Sequence, residues 1–112
     1  MLYHIATRDE WRQARRRGSF VPDSLAAEGY IHNCRRDQIL WVVERFYAGA
    51  ADLVILCVAE ERLQASWREE DLENLGETFP HIYGPLNLDA VVDVVPFAPQ
   101  SDGPFRLPAN LP

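Results

Sequence analysis

The chain has 112 residues, 47% of them apolar, 25% charged and 11% aromatic, with a formal net charge of −6. That composition fits one globular domain spanning 1–112 and excludes a disordered, fibrous or repeat protein, because the length supports one modest core and not two. The longest apolar run, Leu53 to Ala59, has seven residues where a membrane helix needs roughly 18, so no membrane partner is expected.

The opening Met1-Leu2-Tyr3-His4 enters a strand pattern directly, with no basic region and no cleavable apolar stretch, so secretion is not expected. Two cysteines, Cys34 and Cys57, are too few for a disulfide scaffold and suit a reducing cytoplasm. Charge is uneven along the chain. Residues 1–47 hold eight Arg against six acids, and residues 48–112 hold three Arg against eleven acids. The net negative charge argues against duplex nucleic acid as a partner, since that binding is driven by phosphate neutralisation. Every basic side chain is Arg, whose planar fork suits phosphate and carboxylate, so a small anionic ligand near the N-terminal half is expected.

Leu2 to Ala6 reads as a first strand. Thr7 and Glu10 form a capping box, which predicts a helix over 8–17 ended by Gly18, its thin apolar face made by Trp11 and Ala14. Residues 19–29 read as irregular, with Asp23 capping one turn through Glu28, and Tyr30-Ile31-His32 reads as a short strand. Ile39, Val42, Val43, Phe46 and Tyr47 recur at helical spacing, which predicts a second helix with Asn33 as N-cap and Gly49 as terminator. Asp52 to Val58 has the continuous apolar character of a strand buried on both faces. Ser66-Trp67-Arg68 reads as a short strand, Glu69 to Glu77 as a solvated acidic loop, and His81-Ile82-Tyr83 and Ala90 to Val95 as the last strands. The core is expected over 2–95, and the proline-rich segment 96–112 as an extended tail. The order of elements is that of an α+β fold.

Three segments carry candidate chemistry. His4, His32 and His81 each lie in or beside a strand among apolar neighbours, where an imidazole is unusual enough to suggest a shared role. Asn33-Cys34-Arg35-Arg36 ends a strand and opens the second helix, so free amides and two guanidinium groups are expected to face one spot, an anion pocket. Cys34 at that helix start is expected to have a lowered pKa, and a nucleophilic Cys34 with His32 as base is one reading of it. In Phe79-Pro80-His81-Ile82-Tyr83-Gly84-Pro85-Leu86, prolines fix the backbone around a His and a Tyr two residues apart, which places both on one strand face.

Tyr3-His4-Ile5-Ala6-Thr7, Gly29-Tyr30-Ile31-His32 and Phe79 to Leu86, in this order, resemble an uncharacterised bacterial and plant family called domain of unknown function 952, over about residues 2–95. That family is similar to the ADP-ribosyltransferase fold. The resemblance implies small, split antiparallel sheets with two main helices around a cleft that binds NAD or an ADP-ribose-like nucleotide. It implies that His4 lies toward the nicotinamide ribose, His32 and Arg35 near phosphate, and Tyr83 against a ring, with Thr7, Asn33, Cys34 and Arg36 at the ligand. Glu77, close to the Phe79-Pro80-His81 segment, is the candidate for the acid such transferases use. Ribosyl or phosphoryl transfer would follow. The alternatives are a non-catalytic module that binds the same ligand, a structural or partner-binding domain, and a zinc site built from His4, His32, His81 and Cys34.

Overall fold

The computed structural model describes residues 1–101 and 103–112. In chain order the strands are β1 (Leu2–Thr7), β2 (Ser19–Phe20), β3 (Ile31–His32), β4 (Leu53–Val58), β5 (Trp67–Glu70), β6 (Phe79–Ile82), β7 (Leu86–Asn87) and β8 (Val91–Phe97). The helices are α1 (Arg8–Arg17), α2 (Asp23–Glu28) and α3 (Ile39–Phe46), the last preceded by a 3-10 turn over Arg36–Gln38. The strands form three antiparallel sheets, ordered β1-β4-β8, β2-β7 and β3-β6-β5. The α+β class and the small split sheets are as expected. No helix among the described residues is long and apolar enough to cross a membrane.

β4 is the centre of the largest sheet, and all six of its residues are buried. Its alternate side chains feed two separate clusters, which is why the sequence there is continuously apolar rather than alternating. Leu53, Ile55 and Cys57 pack with Tyr3, Ile5, Ile39 and Val43 on one face. Val54, Leu56 and Val58 pack with Leu2, Ala6, Phe20, Ile31 and Ile82 on the other. Leu56 is fully buried, so Leu56→Ala should lose about 3 kcal/mol of stability, read as a lower midpoint in urea unfolding.

α1 follows local rules. Thr7 Oγ1 accepts from the Glu10 amide, Glu10 returns a bond to the Thr7 amide, and Gly18 closes the helix at φ 94°. The start of the second helix departs from expectation. Asn33 is not its N-cap, because the Tyr3 and Cys34 backbones bridge by paired hydrogen bonds of 2.9 and 2.8 Å and keep the chain extended to Arg35. The cap moves downstream, where Gln38 Oε1 accepts from the Arg35 amide at 2.8 Å.

The margins of the chain also depart from expectation. The segment read as irregular contains β2, whose Phe20 is buried opposite Leu86; a two-residue strand has too little sequence pattern to announce itself. The core does not stop at residue 95: Phe97, Phe105 and Leu111 join the first cluster, and Phe97 and Phe105 lie 4.9 Å apart between ring centroids. The tail is non-helical, but its apolar side chains are held against the sheet.

Candidate functional site

The β3-β6-β5 sheet presents one face to the core and one to a cleft. Antiparallel register pairs His32 with His81 and His81 with Arg68, so these three share a face. Residues two positions away join them: Tyr30, Tyr83 and Glu70. The opposite face carries Ile31 and Ile82, both fully buried. Gly29, at φ 88°, ends α2 in the left-handed conformation that favours glycine and turns the chain so that Tyr30 lies over this surface. The Tyr30 ring lies 4.3 Å from that of His81, 4.9 Å from His32 and 5.7 Å from Tyr83. Gly84 lets the strand pass close to its neighbour, since a Cβ there would meet the Ala65 Cβ at 2.9 Å.

The cleft has a volume of about 590 Å³ and lies between this sheet, β1, α2, α3 and the segment after β5. His4, His32, His81, Asn33 and Cys34 all line it. The rings of His32 and His81 are 5.6 Å apart, and His4 reaches the His32 carbonyl through Nδ1. A carbonyl only accepts, so His4 Nδ1 carries the proton. Burial lowers the pKa of His4, which keeps the ring neutral and leaves Nε2 as an unprotonated acceptor.

The carboxylates of the cleft are the part that sequence reasoning missed. Glu10, Asp23, Glu28, Glu70, Asp71 and Glu73 line it, and no Arg does among the described residues. Glu28 binds His32 Nε2, and Glu73 lies 3.8 Å from His32 Nδ1. Glu70 accepts from Tyr83 and, at 3.2 Å, faces His81 Nδ1; those two bonds, Tyr83 first, hold its carboxyl below the usual range. Tyr83 is raised in turn by its bond to Glu70, and Arg68 lies over its ring at 5.0 Å. Glu70 belongs to β5 because the strand runs two residues into the acidic stretch that reads as a loop. The rest of that stretch is organised by Asp71, whose two oxygens accept from the Leu75 and Gly76 amides at 2.7 and 2.8 Å.

Where α3 meets β6 the cleft is aromatic. Trp41 is 41% exposed and stacks on Phe79 at 5.7 Å, with Phe46 beyond it. Asn33 also borders the cleft and is 5% exposed. Its Nδ2 donates to the carbonyls of Ile31 at 2.9 Å and Pro80 at 3.5 Å, which fixes the amide orientation, and its Oδ1 has no partner. An unpartnered buried acceptor costs about 1–3 kcal/mol.

Several expected site residues lie elsewhere. Arg35 lies outside the cleft lining, where Glu69 at 2.8 Å and Glu60 at 3.4 Å neutralise it and the Trp67 ring lies 5.6 Å from its guanidinium carbon. Arg36 donates to the carbonyls of Leu111 and Pro112. The extended path from Asn33 to Arg35 sends both away, so the arginine-flanked anion pocket does not form at the cleft. Glu77 accepts from Gln38 Nε2 at 2.9 Å, outside the cleft lining, and Thr7 is occupied as the cap of α1. Tyr83 borders the cleft through Glu70.

Cys34 also departs from expectation. It sits in the Tyr3 bridge rather than at a helix start, is 2% exposed, and burial pushes its thiol up to about 12. A thiolate partner for His32 is therefore unavailable near neutral pH. Native protein at pH 8 should react with a thiol-specific disulfide reagent far more slowly than protein in 6 M guanidinium; equal rates would contradict this burial. Among the described residues no three His, Cys, Asp or Glu side chains are grouped as a metal ion requires.

The sequence matches the family model "Protein of unknown function (DUF952)" over residues 5–94. The chain belongs to this family. The crystal structure of protein CC0527 from Caulobacter crescentus is similar at 31% identity with a TM-score of 0.84, covering 95% of this chain and 93% of that one. A double-mutant crystal form of CC0527 gives 29% identity and a TM-score of 0.80, and its solution NMR structure 30% and 0.69. No curated protein matches the sequence. The family and its relatives thus fix the fold of the DUF952 chain, and the chemistry must be argued from the cleft.

Proposed function

We propose that this DUF952 domain binds a small organic cation in the cleft bounded by His4, His32, His81 and Glu70. The observation that carries the reading is the lining itself: six carboxylates, three imidazoles and an aromatic wall, with no lysine in the chain and no arginine in the lining among the described residues, Arg68 on the same sheet face being held over the Tyr83 ring. A free phosphate would meet uncompensated like charge there, whereas a cation is attracted both by the carboxylates and by the faces of Trp41 and Phe79. Enclosed apolar surface with a few convergent polar groups is also the usual form of a small-molecule site. Titration calorimetry with agmatine and with inorganic phosphate tests it. Agmatine should bind, more weakly as salt rises, and phosphate should not. Binding of phosphate without agmatine would overturn the reading.

A second reading is favoured by the placement of Glu70. It puts a carboxylate, two tyrosines and His4 at one cleft, the group types that the ADP-ribosyltransferase resemblance calls for, with Glu70 in place of Glu77. The cation would then be the pyridinium ring of NAD, and Arg68 at the rim would meet the pyrophosphate. Water would displace nicotinamide at the ribose C1′, giving ADP-ribose and releasing one proton. Nicotinamide release that disappears in Glu70→Gln supports this reading; no release from the unaltered protein removes it.

A further inference from the structure

We infer that the arginine face of α1, separate from the cleft, is a docking surface for an acidic helical segment of a partner protein.

α1 turns its thin apolar side to the core through Ala14, which is buried, and Trp11, which is half-buried. Arg8, Arg12, Arg15 and Arg16 recur at i, i+4, i+7 and i+8, so they share another face of the helix, about 12 Å long. Arg8 pairs with Asp52 at 3.0 Å. Arg12, Arg15 and Arg16 are exposed, and their side chains make no ion pair or hydrogen bond among the described residues. The acids of the same helix are already engaged: Glu10 closes the capping box on the Thr7 amide, and Asp9 accepts from Gln13 at 2.8 Å. Other arginines of the chain are used internally. Arg35 is held by Glu60 and Glu69, Arg36 by the carbonyls of Leu111 and Pro112, and Arg45 and Arg68 lie over the rings of Trp41 and Tyr83. Three adjacent guanidinium groups without partners therefore stand on one rigid element.

Their geometry and surroundings select the partner. Guanidinium forks pair best with carboxylates and phosphates. Carboxylates at every fourth position of a helix repeat at about 6 Å, the same spacing as Arg8, Arg12 and Arg16 on α1. A nucleic acid strand longer than this face would run into like charge, because the chain carries a net −6 and residues 48–112 hold three Arg against eleven acids. A lipid surface would need apolar anchors beside the charge, and the exposed large apolar residues Met1, Trp41, Phe46, Leu72 and Val92 all lie outside α1.

The test is an NMR titration of the labelled full chain with an end-blocked, alanine-rich peptide that has glutamate at every fourth position. A peptide of the same composition with its glutamates spread around the helix is the control. The Nε resonances of Arg12, Arg15 and Arg16 should shift along one saturable curve, about fivefold tighter for the striped peptide and weaker as salt rises. R12Q/R15Q/R16Q should abolish the binding while its thermal midpoint stays close to that of the unaltered protein, since all three side chains are exposed. Stationary α1 arginines, equal affinity for the two peptides, or binding that persists in the triple variant would overturn the inference. Oligothymidylate and phosphatidylserine vesicles are titrated in parallel; movement of these arginines by either one, with the striped peptide silent, would overturn the assignment to a protein partner.

Discussion

Neutralising three carboxylates at once, in E28Q/E70Q/E73Q, should weaken agmatine binding about thirtyfold. Each carboxylate is at least partly open to solvent and weak alone, so the loss of about thirtyfold is expected only when all three are removed together. The loss should shrink in high salt, because exposed charges are screened over a Debye length of about 10 Å at 0.1 M. Calorimetric titrations at two salt concentrations measure both effects. Unchanged affinity in the triple variant would place the binding elsewhere. The three glutamates lie on one sheet end, one short helix and one loop, outside the core clusters, so the fold should survive the change.

Acid should destabilise the protein before its carboxylates are protonated, and His4 should be the cause. Burial lowers its pKa below 6.5, so the unfolded chain binds a proton that the native state refuses. Stability is then fully present above the unfolded pKa of about 6.5 and falls as pH drops toward the depressed folded value, by up to about 1.4 kcal/mol per pH unit. His4→Gln keeps a donor for the His32 carbonyl and removes the titration, so its unfolding midpoint should vary less between pH 6.5 and 5. An identical slope in both proteins would show that another group is responsible. Glu60 and Glu70, whose carboxyls are held low by the N-terminal amine and by Tyr83, add their own loss below the usual carboxylate range.

How much of this was legible in the sequence depends on how far each feature reaches. The α1 helix is written in four adjacent residues and a glycine, and it forms where Thr7, Glu10 and Gly18 place it. β4 is legible because burial on both faces leaves a continuous apolar signature. Asn33 fails as a cap because the competing bridge between Tyr3 and Cys34 joins residues 31 positions apart, and no local pattern reveals it. The arginines mislead for the same reason: Arg35 and Arg36 look free in the sequence, and their partners, Glu60, Glu69 and the carbonyls of residues 111 and 112, are supplied by distant segments. The histidines could be singled out by residue type and strand context, but the sequence contains no statement of the β3–β6 register that sets His32 opposite His81. Glu70 was hidden among acids that read as solvated. Its signal, the alternation Arg68, Glu70 after Trp67, becomes visible only once β5 is known to extend that far.

The most direct measurement is the response of the three imidazoles to a cation. Their ring nitrogens can be followed by NMR in uniformly labelled protein while agmatine is added. Since His4, His32 and His81 border one cavity, their resonances should move together along a single saturable curve. A protein in which agmatine moves no histidine, or moves His32 alone through its exposed edge, would contradict the existence of a shared cation site.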